Sequence, residues 1–295
     1  MALAVSVAGT TAAIEYGLVD FSGHRLCSES LPLAAIVIGG MMFRGDGVGA
    51  RLRLAADVSS VHGNVRAMTK VLIFAVAAHA TLKGVLAPAR TWLGGFAIDL
   101  GQPATLSALF GSAIVPALLI VAVLVFVVVR SGASWMQLAM GALIGSLIPI
   151  SWVGTGYVLH DEFDPIALQG LAFSLPATEA LFWTVARTAI DPGFGVGFIG
   201  GVLVGSLLTS VAFSEFKMAG FDRETPTGNY IVGGLLMGVG GVLAGGCTIG
   251  AGLSGVGMLS LAAALALAAM IAGALLTSVV MQRGVSAQGS LVAAE

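Results

Sequence analysis

Long apolar runs make up most of the chain, and polar residues punctuate them. A helix needs roughly 20 mostly apolar residues to cross the hydrocarbon core of a bilayer. The runs 67–88, 107–130, 135–158, 192–213 and 259–281 meet that length. The runs 3–19, 31–43, 166–186 and 229–246 are shorter or more interrupted. Polar stretches fall between them at 44–66, 89–104, 160–164 and 214–228. The pattern predicts an all-α, polytopic integral membrane protein with about eight or nine hydrophobic helices. It leaves no room for a sizeable soluble domain, so residues 1–295 read as one integral membrane unit.

Composition agrees. The 295 residues are 57% hydrophobic and 9% charged, with a mean hydropathy of +1.00. Soluble domains carry about 25% charged residues, so most of this surface must face lipid. The net charge of −2 offers no basic field for nucleic acid. The first apolar run lacks a basic leader and contains Glu15, unlike a plain signal peptide. The charge pattern divides on orientation. Arg130 ends one run and the acidic 160–164 loop ends the next, which places that loop outside; the basic stretch 44–70 favours the cytoplasm.

Two Gly-Gly segments stand out. IVIGGMMF lies in 31–43 and YIVGGLLMG in 229–246. Short, glycine-interrupted segments at corresponding places in two halves point to a transport site built from broken helices. In a chain with 42 glycines the likeness also has a chance origin.

Of the two cysteines, Cys247 lies in GGCTIGAGLSG, residues 245–255, and Cys27 in the connection SGHRLCSES. Their spacing suggests no disulfide. Gly245 and Gly246 admit backbone conformations closed to other residues. Cys247 is therefore expected where a helix ends or breaks, with Thr248, Ser254 and exposed amides nearby. Amides at a helix N-terminus attract anions, and a thiol is a soft donor and acceptor. The alternative is a small buried hydrophobe in a helix-packing stripe.

Other polar residues carry weaker signals. His160, Asp161, Glu162 and Asp164 include metal-ligand types, but a solvated turn before Pro165 explains them, and no metal site is predicted. His79 and Lys83 are one helical turn apart, and Glu179 is a carboxylate within an apolar run. An intramembrane His or Glu is a functional candidate, while a lysine can snorkel. Ser151, Trp152 and Tyr157 could line a path, though aromatic residues near a helix end usually mark the membrane interface.

GGLLMGVGGVLAGGCTIGAGLSG resembles the signature of the YeeE/YedE family of sulfur transporters. TGYVLHDEFDPIALQGLAFSLPATEALF, GFGVGFIGGVLVGSLLTS and SEFKMAGF are similar to that family in the same order. The likeness is good over 135–281 and looser over 14–90. It implies two pseudo-symmetric halves, about 1–130 and 131–295, with short broken helices meeting near the membrane centre. It also implies a permease for thiosulfate or a related small sulfur-containing anion, multi-pass in the bacterial inner membrane. A substrate path through Cys247, flanked by Gly245, Gly246 and Thr248, follows from the motif, with His79 and Glu179 as weaker candidates. No cofactor is implied. No nucleophile–base pair or metal cluster is legible, so an enzyme is not expected. Two rival expectations are a non-transporting membrane component that docks a soluble sulfurtransferase or thiol carrier, and an inactive, decayed transporter.

The first half departs from the family pattern. Aligning Gly39-Gly40 with Gly233-Gly234 puts the counterpart of Cys247 at Arg53, within GDGVGARLRLAADV. An early helix bearing a further family cysteine is also expected to be missing. Codons for residues 46–58, chosen freely and read one base later, can encode MVLARGCASRLM, whose VLARGC parallels VLAGGC at 242–247. We hypothesise a local frameshift; nucleotides across these codons that cannot yield that frame would refute it. If the sequence stands, burial of Arg51 and Arg53 is costly and impaired transport is expected.

Overall fold

The computed structural model describes residues 1–21, 24–28, 30–45, 65–99, 101, 103–159, 168–188, 191–213 and 227–292. The expected all-helical polytopic architecture holds. Helices α1 (Ala2–Glu15) and α2 (Leu33–Gly45) are followed by α3 (Val65–Leu82) and α4 (Ala87–Gly94). Next come the short α5 (Leu106–Phe110), α6 (Ile114–Ser131) and α7 (Trp135–Val153). The last are α8 (Ser174–Val185), α9 (Phe194–Ala212), α10 (Thr227–Leu243) and α11 (Leu261–Val292). Two-residue strands β1 (Ser30–Leu31) and β2 (Ile98–Asp99) pair antiparallel, Ser30 with Asp99 and Leu31 with Ile98. Among the described residues, five helical spans are long and apolar enough to cross a membrane, or six if α3 and α4, bent by 61°, form one broken span.

Several boundaries differ from the sequence pattern, each for a local reason. The run 107–130 is split because Gly111 takes a left-handed conformation (φ 71°), ending α5 before α6 starts. The run 67–88 ends at Leu82, and α4 occupies part of the expected polar connection 89–104. The run 166–186 yields the 12-residue α8, because 168–173 is irregular, with bends at Leu171 and Phe173. Helix α7 starts on a capping box: Ser134 Oγ accepts from Gln137 N–H (3.4 Å), and Gln137 Oε1 accepts from Ser134 N–H (3.1 Å). It contains Pro149 and runs into a π-type turn at Gly154–Val158. Such wide turns mark places where the regular helical ladder is disturbed.

The chain forms two compact units, each assembled from separated segments. The first comprises Met1–Ile36, Trp92–Phe173 and Ala244–Leu267. Within it α1 packs on α6 and α7. Gly9 of α1 has no side chain to collide with Pro149; a Cβ there would lie 2.7 Å from the ring. Val7, Ala117, Leu259 and Ala263 form its small apolar core. The second unit comprises Val37–Thr91, Ser174–Leu243 and Ala268–Glu295. Its closest helix pair is α3 with α10, where Gly238 admits the backbone of α3: a Cβ there would lie 2.6 Å from Phe74 O and 2.7 Å from Ala77 Cβ. Gly39, Gly40, Gly233 and Gly234 are all buried. Large apolar side chains are exposed along α6 (Leu118, Phe126, Val129), α9 (Leu203, Leu208, Val211) and α11 (Leu275, Leu276). Apolar stripes of this extent mark surface that does not face water.

Candidate functional site

The site grows from the break between α10 and α11. Gly245 has φ 81°, which turns the chain sharply, and a Cβ there would meet Leu26 at 2.7 Å. A Cβ on Gly246 would lie 3.0 Å from Ala251 N. Beyond this bend the chain winds into a π-type segment, Thr248–Gly255, with Cys247 as its N-terminal cap. Cys247 is buried, and its Sγ accepts from Gly250 N–H at 3.4 Å. Sγ also accepts from Phe173 N–H at 3.4 Å, across 74 positions of sequence. The thiol therefore sits where two backbone donors converge, at the end of a helical segment that carries partial positive charge. Thr248 follows it, half-buried. The expectation that Cys247 marks a helix break holds: Gly245 and Gly246 precede it in the bend, and Thr248 and Ser254 lie in the π-type segment that it caps.

Residues 168–173 form an irregular strap in the same unit, bent at Leu171 and Phe173, which the sequence pattern assigned to a helix. Three side chains fix its main chain. Thr155 Oγ1 accepts from Gln169 N–H (3.3 Å), Ser254 Oγ donates to Leu171 O (2.6 Å), and Cys247 Sγ takes Phe173 N–H. Ala172 lies against Gly250, where a Cβ would sit 3.0 Å from its methyl. Irregular backbone at membrane depth survives when buried in protein or beside a cavity; here side-chain partners supply part of what a helix would supply internally.

Cys27 lies nearer this architecture than its polar surroundings in sequence suggest. It ends a short 3-10 turn, Arg25–Cys27, outside the membrane-spanning helices. Both cysteines are free. Burial pushes the Cys27 thiol up to about 11, so it stays protonated at neutral pH. Its neighbour Leu26 packs against both Gly245 and Gly255, and Ser260 Oγ donates to Leu26 O. The Arg25–Cys27 turn thus braces the Gly245–Gly255 segment through Leu26, a role with no local sequence signal.

Trp152 departs from its expected interfacial place. It is 2% exposed, the largest fully buried side chain, with Phe21 and His24 edge-on at 4.9 and 5.4 Å. Tyr157 is 64% exposed. In the second unit, His79 on α3 stacks on Phe182 of α8 with ring centroids 3.7 Å apart. Glu179 lies one turn before Phe182 and feels the charge of Lys83. These two weaker candidates are therefore near each other, on elements of a different unit from Cys247. The acidic 160–164 loop and the Arg51/Arg53 stretch lie outside the described residues. Among the described residues no cluster of three or more metal-ligating side chains occurs.

Helices long and apolar enough to span, and a glycine-broken one capped by a buried thiol, define a multi-pass membrane protein of the transporter type. Residues 1–276 match the family described as Sulphur transport, and the chain belongs to that family. Thiosulfate transporter TsuA of Escherichia coli (strain K12) is 30% identical over 142 residues, 47% of this chain and 37% of that protein. Thiosulfate transporter TsuA of Spirochaeta thermophila is 27% identical over 258 residues, 81% of this chain and 74% of that protein. The matched region thus spans little more than a third of the first relative and about three quarters of the second.

Proposed function

We propose that the chain is a permease that moves thiosulfate, or a closely related sulfur anion, across the bacterial inner membrane. The observation that carries this is Cys247, buried at a helix break with two backbone N–H groups on its sulfur. A thiol is both a weak donor and a weak acceptor. Its acceptor side already takes Phe173 N–H and Gly250 N–H, and the S–H can donate to the terminal sulfur of the anion. Such contacts are weak, as conduction requires: a site must hold the ion long enough to select it and then release it. Gly245 and Gly246 shape the turn, and Thr248 stands at the first position after the thiol. His79 and Glu179 would adjust charge within the second unit. The Gly-Gly segments of α2 and α10, buried alike, support a two-half construction.

No covalent step is required, so the protein carries rather than transforms its substrate. A soluble sulfurtransferase or thiol carrier is the natural acceptor on the receiving side. Purified chain in sealed liposomes should accumulate radiolabelled thiosulfate above protein-free vesicles, and liposomes that stay empty would sink the proposal.

A further inference from the structure

Trp152 presents an unusual polar atom. Its indole Nε1–H has no hydrogen-bond partner although the side chain is 2% exposed. A buried donor left unpaired is costly. The ring is otherwise firmly packed, edge-on to Phe21 and His24, so the atom is not loosely placed. Gly170 of the strap lies against the six-membered ring of the indole, where a Cβ would collide with Cζ2 and Cε2. Three residues further along the same strap, Phe173 N–H donates to Cys247 Sγ.

Resting on the proposed sulfur-anion transport, we infer that the Trp152 N–H is a second station on the path, which binds an oxygen of the anion. An indole nitrogen can only donate, so its partner is an acceptor, and the sulfonate oxygens of thiosulfate are acceptors. The donor is neutral, so it selects an oxyanion without the deep trap a buried lysine or arginine would make. The two stations divide the labour. Cys247 addresses the soft sulfur end and Trp152 the hard oxygen end.

The test uses Trp152 itself as the reporter. With Trp92, Trp135 and Trp183 replaced by Phe, thiosulfate in the millimolar range should change the Trp152 emission. Sulfate should do the same, because it offers the same oxygens, and the response should persist in a Cys247→Ala background. In liposomes, Trp152→Phe keeps the ring but removes the donor, and should raise KM for thiosulfate about tenfold with a smaller change in kcat. An emission blind to both anions, a response lost with Cys247, or an unchanged KM would each overturn the second station, whose N–H would then serve only buried water. If the unmutated chain transports nothing, the transport proposal fails on its own, while the emission titration still decides whether Trp152 holds the anion.

Discussion

Cys247→Ala is expected to reduce thiosulfate uptake to the background of protein-free liposomes, and Cys247→Ser should separate the two reasons why. Alanine removes both the thiol and the acceptor of two N–H groups, Gly250 and Phe173. Losing an N-terminal cap costs a helix about 1 kcal/mol, so the alanine protein should be folded but less stable. Serine keeps an acceptor at the cap and removes only the soft S–H. The expected outcome is a serine protein as stable as the unmutated chain that transports at least tenfold more slowly. Uptake by the serine variant at the unmutated rate would show that Cys247 is only a cap. Matching elution of all three proteins in detergent confirms that uptake, not folding, is being read.

Gly238→Val should have the largest effect on the fold. The Cβ would meet Phe74 O at 2.6 Å and Ala77 Cβ at 2.7 Å, and the former is backbone that cannot rotate away. Helices α3 and α10 would have to separate, and the second unit relies on that pair. Overpacking typically costs about 1–3 kcal/mol, and two branched methyl groups at a helix–helix contact sit at the upper end. The valine protein should aggregate on solubilisation or melt at least 10 °C lower by thermal size-exclusion. Gly197→Ala is the control: nothing lies within 4 Å of its would-be Cβ, so its melting should be unchanged. Equal melting of Gly238→Val and Gly197→Ala would show that α3 and α10 do not rely on this close approach.

The bend at Gly245–Gly246 was legible because two adjacent glycines before a thiol state their purpose locally. The spanning helices were legible for a similar reason, since length and apolarity are properties of a contiguous run. The strap was not. Residues 168–173 look helical in composition, and their irregular path is supported by Cys247 and Ser254, partners 74 and 83 positions away. Trp152 misled in the same way. An indole close to a helix end suggests a membrane interface, and only Phe21, His24 and Gly170, drawn from distant parts of the chain, show that it is interior. Leu26 bracing Gly245 and Gly255 belongs to the same class: no periodicity links the Arg25–Cys27 turn to a bend more than two hundred residues later. The grouping of His79, Lys83 and Glu179 was half visible, since helical spacing pairs the first two but cannot bring α8 beside them.

The strap is gripped at Gln169, Leu171 and Phe173 through main-chain atoms alone. Grips on the main chain are indifferent to side-chain identity but strict about length. Apart from Gly170, pressed on the indole, and the side chains of Leu168 and Ala172, packed near Gly156 and Gly250, its letters can drift more freely than their number. A single residue inserted or deleted within 169–173 would shift the Phe173 amide off the thiol, a far heavier blow than most substitutions there. The strap behaves as a ruler that sets where the sulfur is met.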